Sequence, residues 1–378
     1  MAGPHTTTDR RIFAVLGLTR EIEAAPLCHG QVRDFFLFGG ITMKKIILAA
    51  TVAVMVASTA YAQEVTLRLH HFMPPPATLS KHFFIPWAEE MAAKTDGRLV
   101  VEVYPSMSLG GRPGDLIDQA IDGAVDISLT LTGYTPGRFN KSEVFELPFM
   151  MEDAEATSAA YYDMIQADLQ DGELADAKIL AAWVHGPGVL HTAEPVMKLE
   201  DMAGKELRGP TRVITDLLGE YGATPVGMPL PGIPEALSKG VINGTVLPWE
   251  ITPAIKLGEL VSNHTELGGD RALYTSTFIL AMNWDAYEAL PDDLRAILDE
   301  NTGKAMSRDV AATMVERDAV GRSVYEGNNI IQLSEDEVDR WIEAAQPVYS
   351  RWIERAGDKG FDGQATIDMA RELISANR

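Results

Sequence analysis

Only one cysteine occurs in the 378-residue sequence, Cys28, and it lies upstream of a segment that reads as a removable leader. Beyond residue 62 there is none, which excludes disulfide staples and thiol chemistry. Positive charge is scarce, with 32 Lys and Arg against 54 Asp and Glu. A chain of formal net charge −22 lacks the basic face that nucleic acid requires. That balance leaves an anionic small molecule open, because a buried local arginine decides such a contact and the global field does not. After Ala62 no apolar run reaches the ~18 residues of a membrane-spanning helix. The signatures of enzymatic chemistry are missing as well. There is no HExxH, no GxSxG elbow and no GxxxxGK[ST] loop. GPGVLH lacks the third glycine of a dinucleotide fingerprint, and LGGRPG has no lysine for a phosphate. No cluster of His, Cys and carboxylates has zinc spacing, so neither a metal nor a cofactor is expected.

What is present begins with a leader. Met43 opens MKKIILAATVAVMVASTAYA, with two lysines, an apolar core from Ile46 to Ala57 and an Ala60-Tyr61-Ala62 ending. This is the order of a secretory signal peptide, with cleavage expected after Ala62 and a periplasmic product. A single-span anchor is the competing reading, but the run is short and alanine-rich. Residues 1–42 show no clean periodicity and are read as a non-native extension from a start codon placed too early. Residues 1–62 carry six Lys/Arg and four Asp/Glu, which leaves 316 residues of formal charge −24. That length is natural for two lobes.

EVTLRLHHF alternates apolar and polar and predicts a first strand ending at His70-His71. A helix is expected from Leu79 to Lys94, kinked or restarted at Pro86. RLVVEVYP, a short helix over Asp115–Gly123 and ISLTLTGY follow, the last opening into a loop with Thr132 and Tyr134. This βαβαβ order predicts a parallel, right-handed sheet. After a strand at KILAAW, VHGPGVLHT reads as a glycine- and proline-broken loop. Two strand-like runs lie between Val261 and Asn283, the second (TSTFILAMN) aimed back toward the first lobe. Long helical patterns near Asp292–Tyr325 and Glu335–Ala356 close the chain.

The densest stretch is Gly204–Trp249, which reads strand, helix, strand, short helix, strand. KELRG is the first strand, Pro210-Thr211 a turn with a plausible N-cap, and Gly222 a helix stop. Arg208 sits where that strand ends. Ligands of open α/β sheets bind at carboxyl ends of strands, and a guanidinium beside a helix N-terminus suits a carboxylate. A structural arginine paired with an acid is the alternative.

LRGPT followed by GATPVGMPLPGIPEALSKGVINGT resembles the DctP-type solute-binding proteins of tripartite ATP-independent periplasmic (TRAP) transporters, over about Val65 to Ala356. The resemblance implies an α/β fold: a two-lobe, periplasmic-binding-protein-like clamshell with a hinge and a long helix spanning both lobes. Lobe 1 is expected over approximately 63–183 plus part of 270–378, and lobe 2 over approximately 184–269 plus the remainder. In that family an arginine followed closely by proline pairs with the substrate carboxylate, and Arg208 matches it. A polar residue near Thr211 often touches substrate, although a capping hydroxyl is its structural role. Ligand contacts fall at the strand end that carries Trp249, which otherwise reads as core. Strand ends place His71, Thr132 and Tyr134 toward the cleft, and His185 in the HGPG loop is a further candidate; each histidine also reads as structural. Compared with the sialic-acid-binding branch, this chain has Leu247 in place of an asparagine contact and Leu230 in place of a phenylalanine. Both changes argue for a smaller or more apolar acid, aromatic or a short hydroxy or keto acid. An aromatic carboxylate stacking on Trp249 or Tyr134 is one possibility. The expected partners are that small acid and the membrane permease, with the receptor itself a monomer. A secreted α/β enzyme using a histidine base on a carboxylate, and the receptor of an ATP-driven importer, are the alternatives.

Overall fold

The structure, a computed structural model, describes residues 64–268 and 272–378. The extension and signal peptide assigned to residues 1–62 lie outside the described residues. The chain opens with β1 (Val65–His71), α1 (Ile85–Lys94), β2 (Leu99–Tyr104), α2 (Leu116–Ile121), β3 (Ile127–Leu131), α3 (Ala154–Met164) and β4 (Lys178–Val184). Then come β5 (Val189–Thr192), β6 (Glu206–Gly209), α4 (Arg212–Glu220), β7 (Thr224–Gly227), α5 (Ile233–Ser238), β8 (Gly244–Leu247), β9 (Asn263–Glu266) and β10 (Thr277–Met282). The last part holds α6 (Trp284–Glu288), α7 (Asp292–Glu300), α8 (Gly303–Ser323), β11 (Asn329–Gln332), α9 (Glu335–Asp358) and α10 (Gly363–Ala376).

These strands form two sheets. The first has the order β2-β1-β3-β10-β4, with β1 parallel to β2 and β3, as the βαβαβ order requires. β10 returns to it from a distant part of the sequence and runs antiparallel to both β3 and β4. Its six residues are all buried, which explains the unbroken apolar run FILAM. Ahead of α1, Leu79–Phe84 is π-helical, and Pro86 stands in the first turn of α1. There its missing N–H is harmless, so the helix restarts at the proline.

The second sheet has the order β11-β9-β5-β8-β6-β7. β6 lies parallel to β7 and β8, while β5 is antiparallel to β8 and β9. The VHGPGVLHT reading needs correction here. Its second half is β5, four buried residues at the interior of this sheet, and only the HGPG part is a crossover.

The helical pattern near Asp292–Tyr325 also divides. Gly303 has φ +78, a left-handed turn that glycine takes without penalty, and it separates α7 from α8. α8 has 21 residues, about 30 Å at the rise of an α-helix. Under the first sheet, Ser307 Oγ accepts the β4 backbone N–H of Ala182 at 3.0 Å. About three turns on, Asp318 accepts the Glu250 N–H at 2.8 Å, and one turn later Arg322 pairs with Glu266 at 2.8 Å. One helix thus braces both lobes. Gly321 makes the crossing possible, because a Cβ there would lie 2.2 Å from the Trp249 carbonyl oxygen. α9 packs Trp341 against Tyr221 at 4.8 Å, and α10 lies on α3.

The lobes are closed on each other. Tyr134 of lobe 1 accepts the Leu230 N–H of lobe 2 at 3.0 Å. Arg212 Nη2 donates to both oxygens of buried Glu143 at 2.8 Å, an ion pair across the seam. Leu131 and Phe278 share one apolar cluster with Leu230, Leu247 and Ile251.

Candidate functional site: a closed apolar cleft with one arginine

β6 brings Arg208 to the cleft. Its register pairs Arg208 with Val226 of β7 and Thr245 of β8, so the side chain leaves an interior strand of the sheet. The next residue, Gly209, has no room for a Cβ, which would come within 2.8 Å of the Thr215 methyl group. The chain turns sharply there into α4. Arg208 is 1% exposed. Nε donates to the Met228 carbonyl at 2.8 Å and Nη1 to the Val246 carbonyl at 3.3 Å. Among the described residues no carboxylate pairs with it. Burial lowers its pKa, offset in part by the Tyr134 and Tyr274 hydroxyls, but a guanidinium stays charged in a protein. The result is a buried cation whose counter-ion is not supplied by the described protein.

A small cavity lies in front of it. Its walls are mainly apolar: Phe72, Leu131, Leu230, Leu247, Ile251 and Phe278. Phe278 is itself fixed by stacking on Trp183, 5.7 Å between centroids and 3° from parallel. Phe72 meets the Tyr134 ring edge-on at 5.2 Å. The Tyr134 hydroxyl oxygen accepts the Leu230 N–H and faces Arg208 as well, which leaves its own hydrogen for a ligand oxygen. His185 Nδ1 lies 2.5 Å from the Gly186 carbonyl, which makes Nδ1 the donor and leaves Nε2 as an acceptor. Burial, and then the Arg208 charge, push this imidazole down to about 4, so it is neutral at pH 7. Tyr274 closes the site beside it, edge-on to the His185 ring at 5.3 Å. Gly188 is required under the Tyr274 ring, since a Cβ would come within 2.0 Å of it.

Of the seven residues singled out from sequence, the cavity brings together Arg208, Tyr134 and His185. The other four sit elsewhere. Trp249 does not line it; the ring packs on His191, His264 and Tyr325, and Nε1 donates to Glu266 at 2.7 Å. The indole is core of lobe 2, and the next residue, Glu250, takes the place at the wall. Thr211 occupies the N-cap position of α4, but its hydroxyl makes no cap bond. The side chain fills the seam against Gly133, where an added Cβ would lie 2.3 Å from the threonine methyl. Thr132 is bonded through its hydroxyl to Thr277, inside a network that ends on the buried Glu146 carboxyl. His71 points into lobe 1 against Phe84 at 5.6 Å, and burial pushes it down to about 4. The cleft receives Phe72 and Met73 instead. Tyr274, Ser276 and Phe278 also line the cleft and were overlooked; the first two lie just ahead of β10 and Phe278 within it.

Residues 70–355 match the family described as bacterial extracellular solute-binding protein, family 7, DctP. A TRAP solute-binding protein from Rhodoferax ferrireducens, solved in complex with copurified benzoate, is 44% identical to the chain. The match covers 83% of this chain and 98% of that one, with a TM-score of 0.81. A marine-metagenome TRAP solute-binding protein specific for aromatic acid ligands, co-crystallised with 3-hydroxybenzoate, is 43% identical. It covers 83% of this chain and 99% of its own, with the same TM-score of 0.81. The C4-dicarboxylate-binding periplasmic protein DctP of Rhodobacter capsulatus is 25% identical over 82% of this chain and 92% of that protein. With the family model covering most of its length and a TRAP solute-binding protein 44% identical to it, the chain belongs to the DctP family of bacterial extracellular solute-binding proteins.

Proposed function

We propose that the protein is a periplasmic receptor for small aromatic monocarboxylates, which it hands unchanged to the permease of a TRAP transporter. One observation carries the ligand class: Arg208 is buried with no acidic partner among the described residues, and the wall around it is mainly aromatic and aliphatic. A charge so placed is costly unless a ligand anion completes it. In this reading the carboxylate meets the free guanidinium edge, the Tyr134 hydroxyl donates to it, and the ring rests among Phe72, Phe278 and Leu247. Leu230 and Leu247 both face the cavity, which supports an apolar ligand over a polyhydroxylated sugar acid. A dicarboxylate fits less well, since among the described lining residues Arg208 is the one Lys or Arg. The benzoate and 3-hydroxybenzoate bound by the similar proteins agree with this class. A receptor of this kind does no chemistry on its ligand and acts as a monomer. Export through the signal peptide at residues 43–62 delivers it to the periplasm.

The test is a thermal-shift series on the chain from Gln63 onward, with benzoate, succinate and a sialic acid as probes. Benzoate at a hundred times its dissociation constant is expected to add about 2.7 kcal/mol of stability, and the other two much less. Stabilisation by succinate but not by benzoate would contradict the aromatic class.

A further inference from the structure

The cavity holds a second ionisable group that the carboxylate reading leaves unused. Glu250 lines it and is 6% exposed. Its Oε2 is buried with no hydrogen-bond partner, and it forms no ion pair with Arg208. The Thr78 hydroxyl lies beside it and donates to the Glu250 backbone carbonyl at 3.5 Å. The segment is held firmly, because Asp318 of α8 accepts the Glu250 N–H at 2.8 Å. Asp318 in turn presses against Gly186, where a Cβ would lie 2.1 Å from its Oδ2. A half-orphaned carboxyl fixed at the wall of an apolar cavity is a group waiting for a partner.

We propose that Glu250 selects the ligand's second polar substituent: the cavity takes an aromatic carboxylate bearing a hydroxyl, with the carboxylate on Arg208 and the hydroxyl on the Glu250 carboxyl. This rests on the aromatic-carboxylate reading above. Burial first, and the neighbouring Asp318 second, push Glu250 up to about 8, so it is protonated at neutral pH. A protonated carboxyl offers one donor and one acceptor, which is what a hydroxyl requires. A ligand ammonium would need the ionised form, which burial opposes, and a second carboxylate would face Asp318.

Calorimetric titration with benzoate, 3-hydroxybenzoate, 4-hydroxybenzoate and 3-(aminomethyl)benzoate separates these cases. At least one hydroxybenzoate is expected to bind roughly 5- to 150-fold tighter than benzoate, the range for leaving a buried polar group unpaired. Glu250→Leu is expected to bring that ratio close to one. Glu250→Gln, whose amide still donates and accepts, is expected to keep most of it. If the leucine variant does not fold, the wild-type ratio and the glutamine variant decide. Equal affinity for benzoate and both hydroxybenzoates in the wild type overturns the proposal, as does an unchanged ratio in folded Glu250→Leu. Tightest binding of the aminomethyl acid, lost in Glu250→Gln, also overturns it, because Glu250 would then act as an anion. Failure of every aromatic acid to bind the folded wild type instead refutes the ligand class itself, and this inference falls with it.

Discussion

Replacing Arg208 by alanine is expected to weaken binding of an aromatic carboxylate by roughly 30- to several-thousand-fold. That range follows from the ~2–5 kcal/mol lost when one partner of a buried, hydrogen-bonded charge pair is removed. Lysine should not restore it, because an ammonium has no planar fork with which to hold the ligand while bonding Met228 and Val246. The empty protein should be little affected. Alanine strands those two carbonyls, but it also removes a buried cation that no described carboxylate balances, and the two effects oppose each other. Titration calorimetry gives the affinity and an apo melting curve gives the fold. Wild-type affinity in a folded Arg208→Ala protein would refute the carboxylate role. Collapse of the apo fold would show that the arginine is structural.

The largest stability loss is expected at Trp183. This side chain is fully buried on β4, stacked on Phe278 at 5.7 Å, with Phe84 at 6.4 Å. Trp183→Ala leaves a cavity among these rings and should cost about 3–5 kcal/mol. It should also loosen the site, because Phe278 has the cavity on one side and the indole on the other. Chemical denaturation should therefore show a lower midpoint, and the folded fraction should bind an aromatic acid less tightly. A loss below about 1 kcal/mol would mean that the core closes around the missing ring and that Phe278 is held by its other neighbours.

Much of the fold was legible because local pattern and tertiary role agree. EVTLRLHH, TSTFILAMN and the helix after Pro210-Thr211 each became the expected element, although β1 stops alternating at its end, where Leu69, His70 and His71 are all buried. Where the reading failed, a local rule was overridden by pairing or by a change of direction. VLHT looks like loop after HGPG, yet its backbone is captured between β8 and β9. Arg208, at a strand end two residues before a proline, lines the cleft as its position and the family resemblance led one to expect. At His71 and Trp249 the adjacent residue, Phe72 or Glu250, lines the cleft while the histidine and the indole pack into the core. Sequence assigns a strand end to the cleft but does not settle which of two adjacent residues faces it once the strand has stopped alternating. Tyr274 was missed for another reason: it lies ahead of β10, and what places it is contact with Gly188, 86 residues earlier.

The most direct test of the account is a crystal structure of the chain from Gln63 onward with 3-hydroxybenzoate. One ligand molecule is expected in the closed cleft, its carboxylate within hydrogen-bond distance of the Arg208 guanidinium and its ring between Phe72 and Phe278. A ligand carboxylate bound away from Arg208, with that guanidinium still lacking an anion, would contradict it.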